Sequence, residues 1–323
     1  MRLAKFLFAA LLLSGAGKAH SEALQPETHR LDVKAPWGGE TTRAFHALTP
    51  PNTAPGERLP AVFILHDAGD PALAAVYRHG WLATASQAHF AIIAPEAGLQ
   101  RKPDEAREGG FFNARVWNAG GEGAAAWDDI AFLSDVARDA ARRYRLDGNR
   151  LYLVGFGAGG SMAQTVLAAG DGPYAAMASV AGTLHGRPAA PGQRPLLLLY
   201  GLADPTNPVG GGKIYLPWTG PVIRPKLVDQ ANAWRQALTC AGQAETTGGA
   251  GVDARWSWRH CGGPAKLDVI WAKDLGRQWP GTGAGPLPQR VTGPSNDAIF
   301  APWEIWRFVE AVRHPSPNGG LPE

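Results

Sequence analysis

Apolar positions along the chain follow two rhythms, and the alternation between them predicts the architecture. Short apolar runs at Ala61–Leu65, Phe90–Ala94, Leu151–Phe156, Ala176–Val180, Pro195–Tyr200 and Leu267–Trp271 have the length and continuity of strands buried on both faces. His29–Lys34 and Arg43–Leu48 read as opening strands. Between the runs, Ile130, Leu133, Val136, Ala137, Ala140 and Ala141 recur at helical spacing within 124–145, and Ala158–Ala169, Leu227–Leu238 and Trp303–Val312 read as further helices. Strand and helix in alternation give an α/β fold, a mostly parallel, doubly wound sheet with helices on both faces. The Gly-, Pro- and Trp-rich segments 99–123, 205–225 and 276–298 read as surface loops. In such a sheet, ligands bind at the loops beyond the carboxyl ends of the strands.

The N-terminus departs from this pattern. Arg2 and Lys5 precede an eight-residue apolar run, Phe6–Leu13, and small residues lead to Ala19-His20-Ser21, the layout of a secretory signal cleaved near residue 21. Eight apolar residues are too few for a bilayer, which needs about 20. The expected organisation is a signal peptide over 1–21, one domain over 22–314 and a flexible tail over 315–323. The mature protein is expected to be exported, periplasmic or extracellular, without membrane attachment once the signal is removed. Of 31 basic residues, three (Arg2, Lys5 and Lys18) lie in that leader, leaving 28 against 28 acidic residues. A balanced charge gives no electrostatic basis for capturing nucleic acid. Cys240 and Cys261, 21 residues apart, are expected to form one disulfide in an oxidising compartment rather than a metal site.

Candidate chemistry gathers at Leu151-Tyr152-Leu153-Val154-Gly155-Phe156-Gly157-Ala158-Gly159-Gly160-Ser161, where a strand turns sharply into a helix between glycines. This is the setting of the G-x-S-x-G nucleophile elbow. The same order of landmarks continues on either side. Leu65-His66-Asp67-Ala68-Gly69, Trp117-Asn118 and Asp128-Asp129-Ile130 precede the turn; Tyr200-Gly201-Leu202-Ala203-Asp204-Pro205, the cysteine pair, Gly276-Arg277-Gln278-Trp279-Pro280-Gly281 and Ile305-Trp306-Arg307-Phe308 follow it. In order and spacing, residues from about 60 to 312 resemble the secreted polyhydroxybutyrate depolymerase and feruloyl esterase-like branch of the α/β-hydrolase fold.

The resemblance implies a Ser–His–acid triad, and two of its positions are replaced. Gly157 stands where the nucleophilic Ser is expected, Arg277 where the general-base His is expected, and Asp204 at the retained acid. Glycine offers no attacking atom, and a guanidinium with a pKa above ~12 takes no proton at neutral pH. Gly157 is expected to relax a turn that strains any other residue, while two arrangements stay open for Arg277, a bidentate pair with Asp204 or a solvated side chain on a mobile loop. The resemblance further implies an oxyanion pocket made of the Ala158 N–H and an N–H near Asp67 and Ala68, with Trp218 and Trp279 as cleft walls. The implied ligand is an ester, a polyester or an acylated polysaccharide, with no cofactor and no metal.

The expected function is therefore a ligand-binding relative of these esterases that has lost serine-hydrolase catalysis. Two rivals stand beside it. Ser161, within Gly159-Gly160-Ser161-Met162-Ala163, is the alternative nucleophile of an active carboxylic-ester hydrolase, although a hydroxyl one turn into the helix more readily bonds a backbone carbonyl. Gly155-Phe156-Gly157-Ala158-Gly159-Gly160 also satisfies the dinucleotide fingerprint G-x-G-x-x-G, which points to an oxidoreductase; the next strand ends in Ala181-Gly182, with no acid for a ribose. Asp128-Asp129 reads as helix solvation or capping rather than a carboxylate pair, and His66 as a residue that orders its loop.

Overall fold

The computed structural model describes residues 24–103, 113–120, 126–170, 172–188, 192–216, 220–316 and 321. The expected leader over 1–21, Trp218 and much of the expected tail lie outside the described residues.

Among the described residues, ten strands form one sheet in the order β1-β2-β4-β3-β5-β6-β7-β12-β11-β10. The ranges are β1 Glu27–Lys34, β2 Glu40–Leu48, β3 Leu59–Leu65, β4 Ala91–Pro95, β5 Leu146–Phe156, β6 Ala176–Val180, β7 Leu196–Gly201, β10 Glu245–Gly249, β11 Val252–Trp258 and β12 Leu267–Ala272. The centre, β4-β3-β5-β6-β7-β12, is parallel throughout. Antiparallel pairs close both edges, β1 and β2 on one side, β11 and β10 on the other. β8 (Gly212–Leu216) and β9 (Gly220–Arg224) form a separate antiparallel pair. They lie in the segment that reads from sequence as the loop 205–225.

The helices are α1 Ala72–Arg78, α2 Trp81–Ala88, α3 Asp129–Arg143, α4 Ala158–Ala168, α5 Leu227–Ala237, α6 Gln289–Thr292 and α7 Ala301–Val309. Alternation along the central strands sends their side chains into two cores. Ala61, Phe63 and Leu65 of β3 pack with Leu133, Met162 and Trp234 of α3, α4 and α5. Val62 and Ile64 pack on the other face with Val76, Trp81 and Ile305 of α1, α2 and α7. All seven residues of β3 are buried, and each fully buried Val, Leu, Ile or Phe contributes about 1.5–3 kcal/mol. The doubly wound sheet with helices on both faces is thus the observed architecture. Cys240 and Cys261 are joined in a disulfide that ties the end of α5 to the segment after β11.

Asp128 and Asp129 divide the work at the start of α3. The Asp128 carboxylate accepts the Ala131 N–H at 3.0 Å, an N-cap. Asp129 instead turns into the core and pairs with Arg43 of β2 at 2.6 Å. Capping matches the reading from sequence; the buried ion pair does not follow from it.

Candidate active-site cleft

The turn from β5 into α4 brings the candidate residues together. Gly157 there has φ 55° and ψ −114°, and it caps a helix whose first N–H groups are unsatisfied by the helix itself. A left-handed φ costs a residue with a side chain about 1–3 kcal/mol, and glycine adopts it freely. The turn is therefore sharp, and glycine adopts it without strain. Gly155 and Gly159 serve packing: a Cβ on Gly155 would lie 2.0 Å from Gly159 O, and one on Gly159 would lie 2.2 Å from Leu65 O. Close contact between strand and helix accounts for this glycine run without a nucleotide.

The space beside Gly157 is occupied. A Cβ there would lie 2.3 Å from Asp67 Oδ1 and 2.4 Å from Arg277 Nη2. Asp67, on the loop after β3, is held by donors on three sides. Its Oδ1 accepts the Ala158 N–H and the Ala68 N–H, both at 2.8 Å, and Arg277 Nη2 donates to both carboxylate oxygens at 2.7 Å. The two backbone donors that the resemblance assigns to an oxyanion pocket thus already hold a carboxylate of the chain itself. Burial works against the Arg277 cation, but Asp67 and Asp204 outweigh it and raise the guanidinium above its usual pKa.

The loop carrying Asp67 is fixed by His66. Its Nε2 accepts the Ala97 N–H at 3.0 Å, so Nδ1 carries the proton and donates to Asp67 O at 2.7 Å. Burial lowers the His66 pKa, which keeps that neutral tautomer. Trp117 Nε1 donates to His66 O at 3.0 Å and pins the same corner from outside.

Arg277 pairs with Asp67 and so is neither the partner of Asp204 nor a solvated side chain, the two arrangements that the sequence leaves open. The Asp204 carboxylate is engaged by its own turn: Oδ1 accepts from Thr206 N at 2.7 Å, Thr206 Oγ1 at 2.8 Å and Asn207 N at 3.1 Å. Arg277 Nη1 reaches only Thr206 Oγ1, at 3.4 Å, so Asp204 stands one residue behind the guanidinium. The competing carboxylate, Asp67, is nearer and aimed by two backbone amides.

Ser161 is buried on the first turn of α4. Its hydroxyl donates to Gly157 O at 3.3 Å and accepts the Thr183 N–H at 3.1 Å, so it is used in bonding the helix to the strand-end loop.

Trp279 forms no cleft wall. It is buried in the opposite core, stacked on His79 with ring centroids 4.4 Å apart and flanked by Trp81 and Phe156. Burial drives the His79 pKa down to about 3. Between pH ~6.5 and ~3 the unfolded chain therefore binds a proton at this site that the folded chain refuses, and stability falls as pH drops through that window. His79→Phe, which preserves the stack, is expected to remove a slope of about 1.4 kcal/mol per pH unit from the acid limb. Thermal unfolding between pH 6 and 4 measures it; parallel curves for variant and parent would refute the assignment.

The cleft itself has a volume of about 1100 Å³. It is lined by Asp67, Ala68, Gly157, Ala158, Ser161 and Arg277, and beyond them by residues of the β8–β9 hairpin. Lys213 and Arg224 on that hairpin had no signal in the sequence, because their segment lacks an apolar rhythm. Among the described residues, no group of three or more His, Cys, Asp or Glu side chains converges to hold a metal ion.

Known proteins share this fold. The NocK protein of Nocardia uniformis subsp. tsuyamanensis, whose name assigns it to the esterases, is 30% identical over 178 residues, 53% of this chain and 47% of that protein; the chain thus matches about half of its relative's length. An acetyl xylan esterase from Aspergillus awamori superimposes with a TM-score of 0.54 at 12% identity, over 78% of this chain and 94% of its own. A dienelactone hydrolase-like promiscuous phosphotriesterase from metagenomic libraries gives 0.53 at 14% identity, over 89% of this chain and 99% of its own. At these identities the structures establish the fold. Residues 44–190, a little under half of the chain, match the family described as esterase PHB depolymerase, and the fold of the chain is that of the α/β-hydrolases.

Proposed function

We propose that the protein is an exported member of this esterase family that binds a ligand in its cleft and does not cleave esters by serine-hydrolase chemistry. The observation that carries the reading is the occupancy beside Gly157, where the Asp67 carboxylate and Arg277 guanidinium stand within 2.4 Å of any Cβ at that turn. An acyl-enzyme needs a hydroxyl, a base and empty oxyanion donors. Gly157 supplies no hydroxyl, Arg277 no base at neutral pH, and the Ala158 and Ala68 N–H groups are engaged by Asp67. The ligand chemistry is that of an ester, a polyester or an acylated polysaccharide, received in the cleft that ends at this turn. Export rests on the charged and apolar leader before residue 22.

The mature chain, recovered from the exported fraction, is expected to leave short-chain p-nitrophenyl esters unhydrolysed above background and to take no label from a fluorophosphonate probe. Turnover that disappears in Ser161→Ala would overturn the reading and make the protein an esterase with a displaced nucleophile.

A further inference from the structure

The corner that carries Asp67 contains a buried acceptor without a donor. Glu96 directly follows β4, and its carboxylate lies among the loop after β3, the start of α1 and β2. Its Oε1 accepts the Ala72 N–H at 3.1 Å and stands 3.4 Å from His46 Nε2. Its Oε2 is buried and, among the described residues, has no hydrogen-bond partner; His66 Nε2 lies 3.7 Å away and Arg115 Nε 3.6 Å away.

His66 meets this oxygen with a lone pair. Nε2 accepts the Ala97 N–H at 3.0 Å, and the ring's proton sits on Nδ1, donated to Asp67 O at 2.7 Å. Two acceptors therefore face each other across a gap in which neither can donate. A proton taken from solvent, which reaches the Glu96 side chain at 12% exposure, reverses this arrangement at Nε2. An imidazolium N–H cannot accept from Ala97, and Oε2 is the open acceptor within reach. Closing 3.7 Å to a charge-assisted bond of about 2.8 Å carries the ring about 1 Å toward Glu96. Trp117 holds the His66 carbonyl in place, so the movement falls on Asp67, whose backbone is bonded to Nδ1 on the ring's other side.

The charged and titratable groups around the imidazole are Glu96 beyond β4, His46 and Arg43 on β2, Arg115 on the segment 113–116, and Asp67 and Asp70 on its own loop. Burial lowers the His66 pKa, and the bond to Asp67 O and the carboxylates of Glu96, Asp67 and Asp70 oppose that effect. Burial also works against the Glu96 charge, but His46, His66, the Ala72 N–H and Arg115 outweigh it and hold this carboxyl below its usual pKa. Glu96 is thus still an anion when His66 takes up its proton.

We infer that His66 and Glu96 form a proton-operated switch in which His66, protonated at Nε2, exchanges the Ala97 N–H for Glu96 Oε2 and loosens the loop that seats Asp67 on the Ala158 N–H. Acid opens the deep end of the cleft, and neutral pH keeps it shut. The switch rests on the reading of Asp67 as the group that fills this end, and the two fail separately. Ester hydrolysis at neutral pH would end the non-catalytic reading and leave the switch standing, whereas an imidazole that never changes form would end the switch alone.

NMR of the mature protein from pH ~7 to ~4 tests it. The ring nitrogens of His66 are expected to pass from the Nδ1–H tautomer to the imidazolium while the fold is intact, and the Ala97 amide proton to move upfield in the same titration as it loses its acceptor. Exchange of the Ala158 amide, corrected for the intrinsic effect of pH, is expected to accelerate at least about tenfold across that titration, while Leu153 and Val154 in β5 keep their protection. Glu96→Gln, which keeps the shape and removes the charge, is expected to lower the His66 midpoint by at least about one pH unit. An imidazole that titrates only as the whole protein unfolds, Ala158 protection that stays constant through the titration, or an unshifted midpoint in Glu96→Gln would each overturn the switch. The first two are read on the unaltered chain and decide the matter even where the variant does not fold.

Discussion

Gly157→Ser combined with Arg277→His is expected to yield no measurable turnover of p-nitrophenyl acetate, whereas adding Asp67→Ala to that pair is expected to raise turnover at least about a hundredfold. The reason is steric and electrostatic at once. A Cβ at residue 157 meets Asp67 Oδ1 at 2.3 Å, and replacing Arg277 removes only the other obstruction, its Nη2 at 2.4 Å. It also strips Asp67 of its counter-charge, leaving a carboxylate held by the Ala158 and Ala68 N–H groups beside the new hydroxyl. Those two amides would stay engaged, and removing a single oxyanion donor from a working site already costs about a hundred- to a thousandfold. Asp67→Ala clears the space, frees both amides and leaves the loop anchored through the His66 bond to the backbone at 67. Asp204, behind the imidazole, is then the acid available to orient it. Turnover in the double variant equal to that in the triple would show that Asp67 does not block the site.

Several features of this site were legible in the residues and others were not, for identifiable reasons. The central strands show because they are buried on both faces and read as mostly apolar runs; all residues of β4, β6, β7 and β12 are buried, Ser179 and Asp268 among them. β10 is exposed along its length and reads Glu245-Thr246-Thr247-Gly248-Gly249, so no apolar signal marks it. β8 and β9 sit between glycines and prolines, which made their segment look like loop, and the two cations they carry were missed with them. α1 and α2 were hidden for a different reason: each is short, and Gly80 between them takes a φ of 75° that breaks the helical period.

The partner of Arg277 was the harder problem. Asp204 follows from triad logic, yet Asp67 lies 210 residues away from Arg277 in sequence, and no local pattern announces their meeting. The nearness of that loop to an oxyanion pocket was visible. What could not be read was the direction of the Asp67 carboxylate, which is set by two backbone amides. Trp279 illustrates the same limit. Its neighbours in sequence belong to the site, but its indole packs in the opposite core.

Arg43→Ala is expected to destabilise the fold by about 3–5 kcal/mol, the second large effect to follow from the structure. The Arg43 side chain is 3% exposed and that of Asp129 0%, and they meet at 2.6 Å. Burial works against both charges, pushing Arg43's pKa down and Asp129's up, so each depends on the other to stay ionised. The guanidinium also donates through Nη2 to Glu96 O at 3.0 Å and lies 3.7 Å from the centre of the Phe132 ring, with Trp117 and Trp127 alongside. Removing Arg43 leaves the Asp129 carboxylate in a dry pocket with the Asn118 N–H, at 2.6 Å, as its remaining donor. Because Asn118 follows Trp117, whose indole holds the corner that carries Asp67, the lost pair loosens the cleft wall as well as the core. Arg43→Met with Asp129→Leu is expected to cost much less than the two single changes together, since an apolar pair leaves no orphaned charge. Urea unfolding of Arg43→Ala measures the first cost, and that of the parent, Arg43→Met, Asp129→Leu and their combination closes the cycle. A cost below about 1 kcal/mol for Arg43→Ala would place the pair among weakly contributing surface contacts, against its burial.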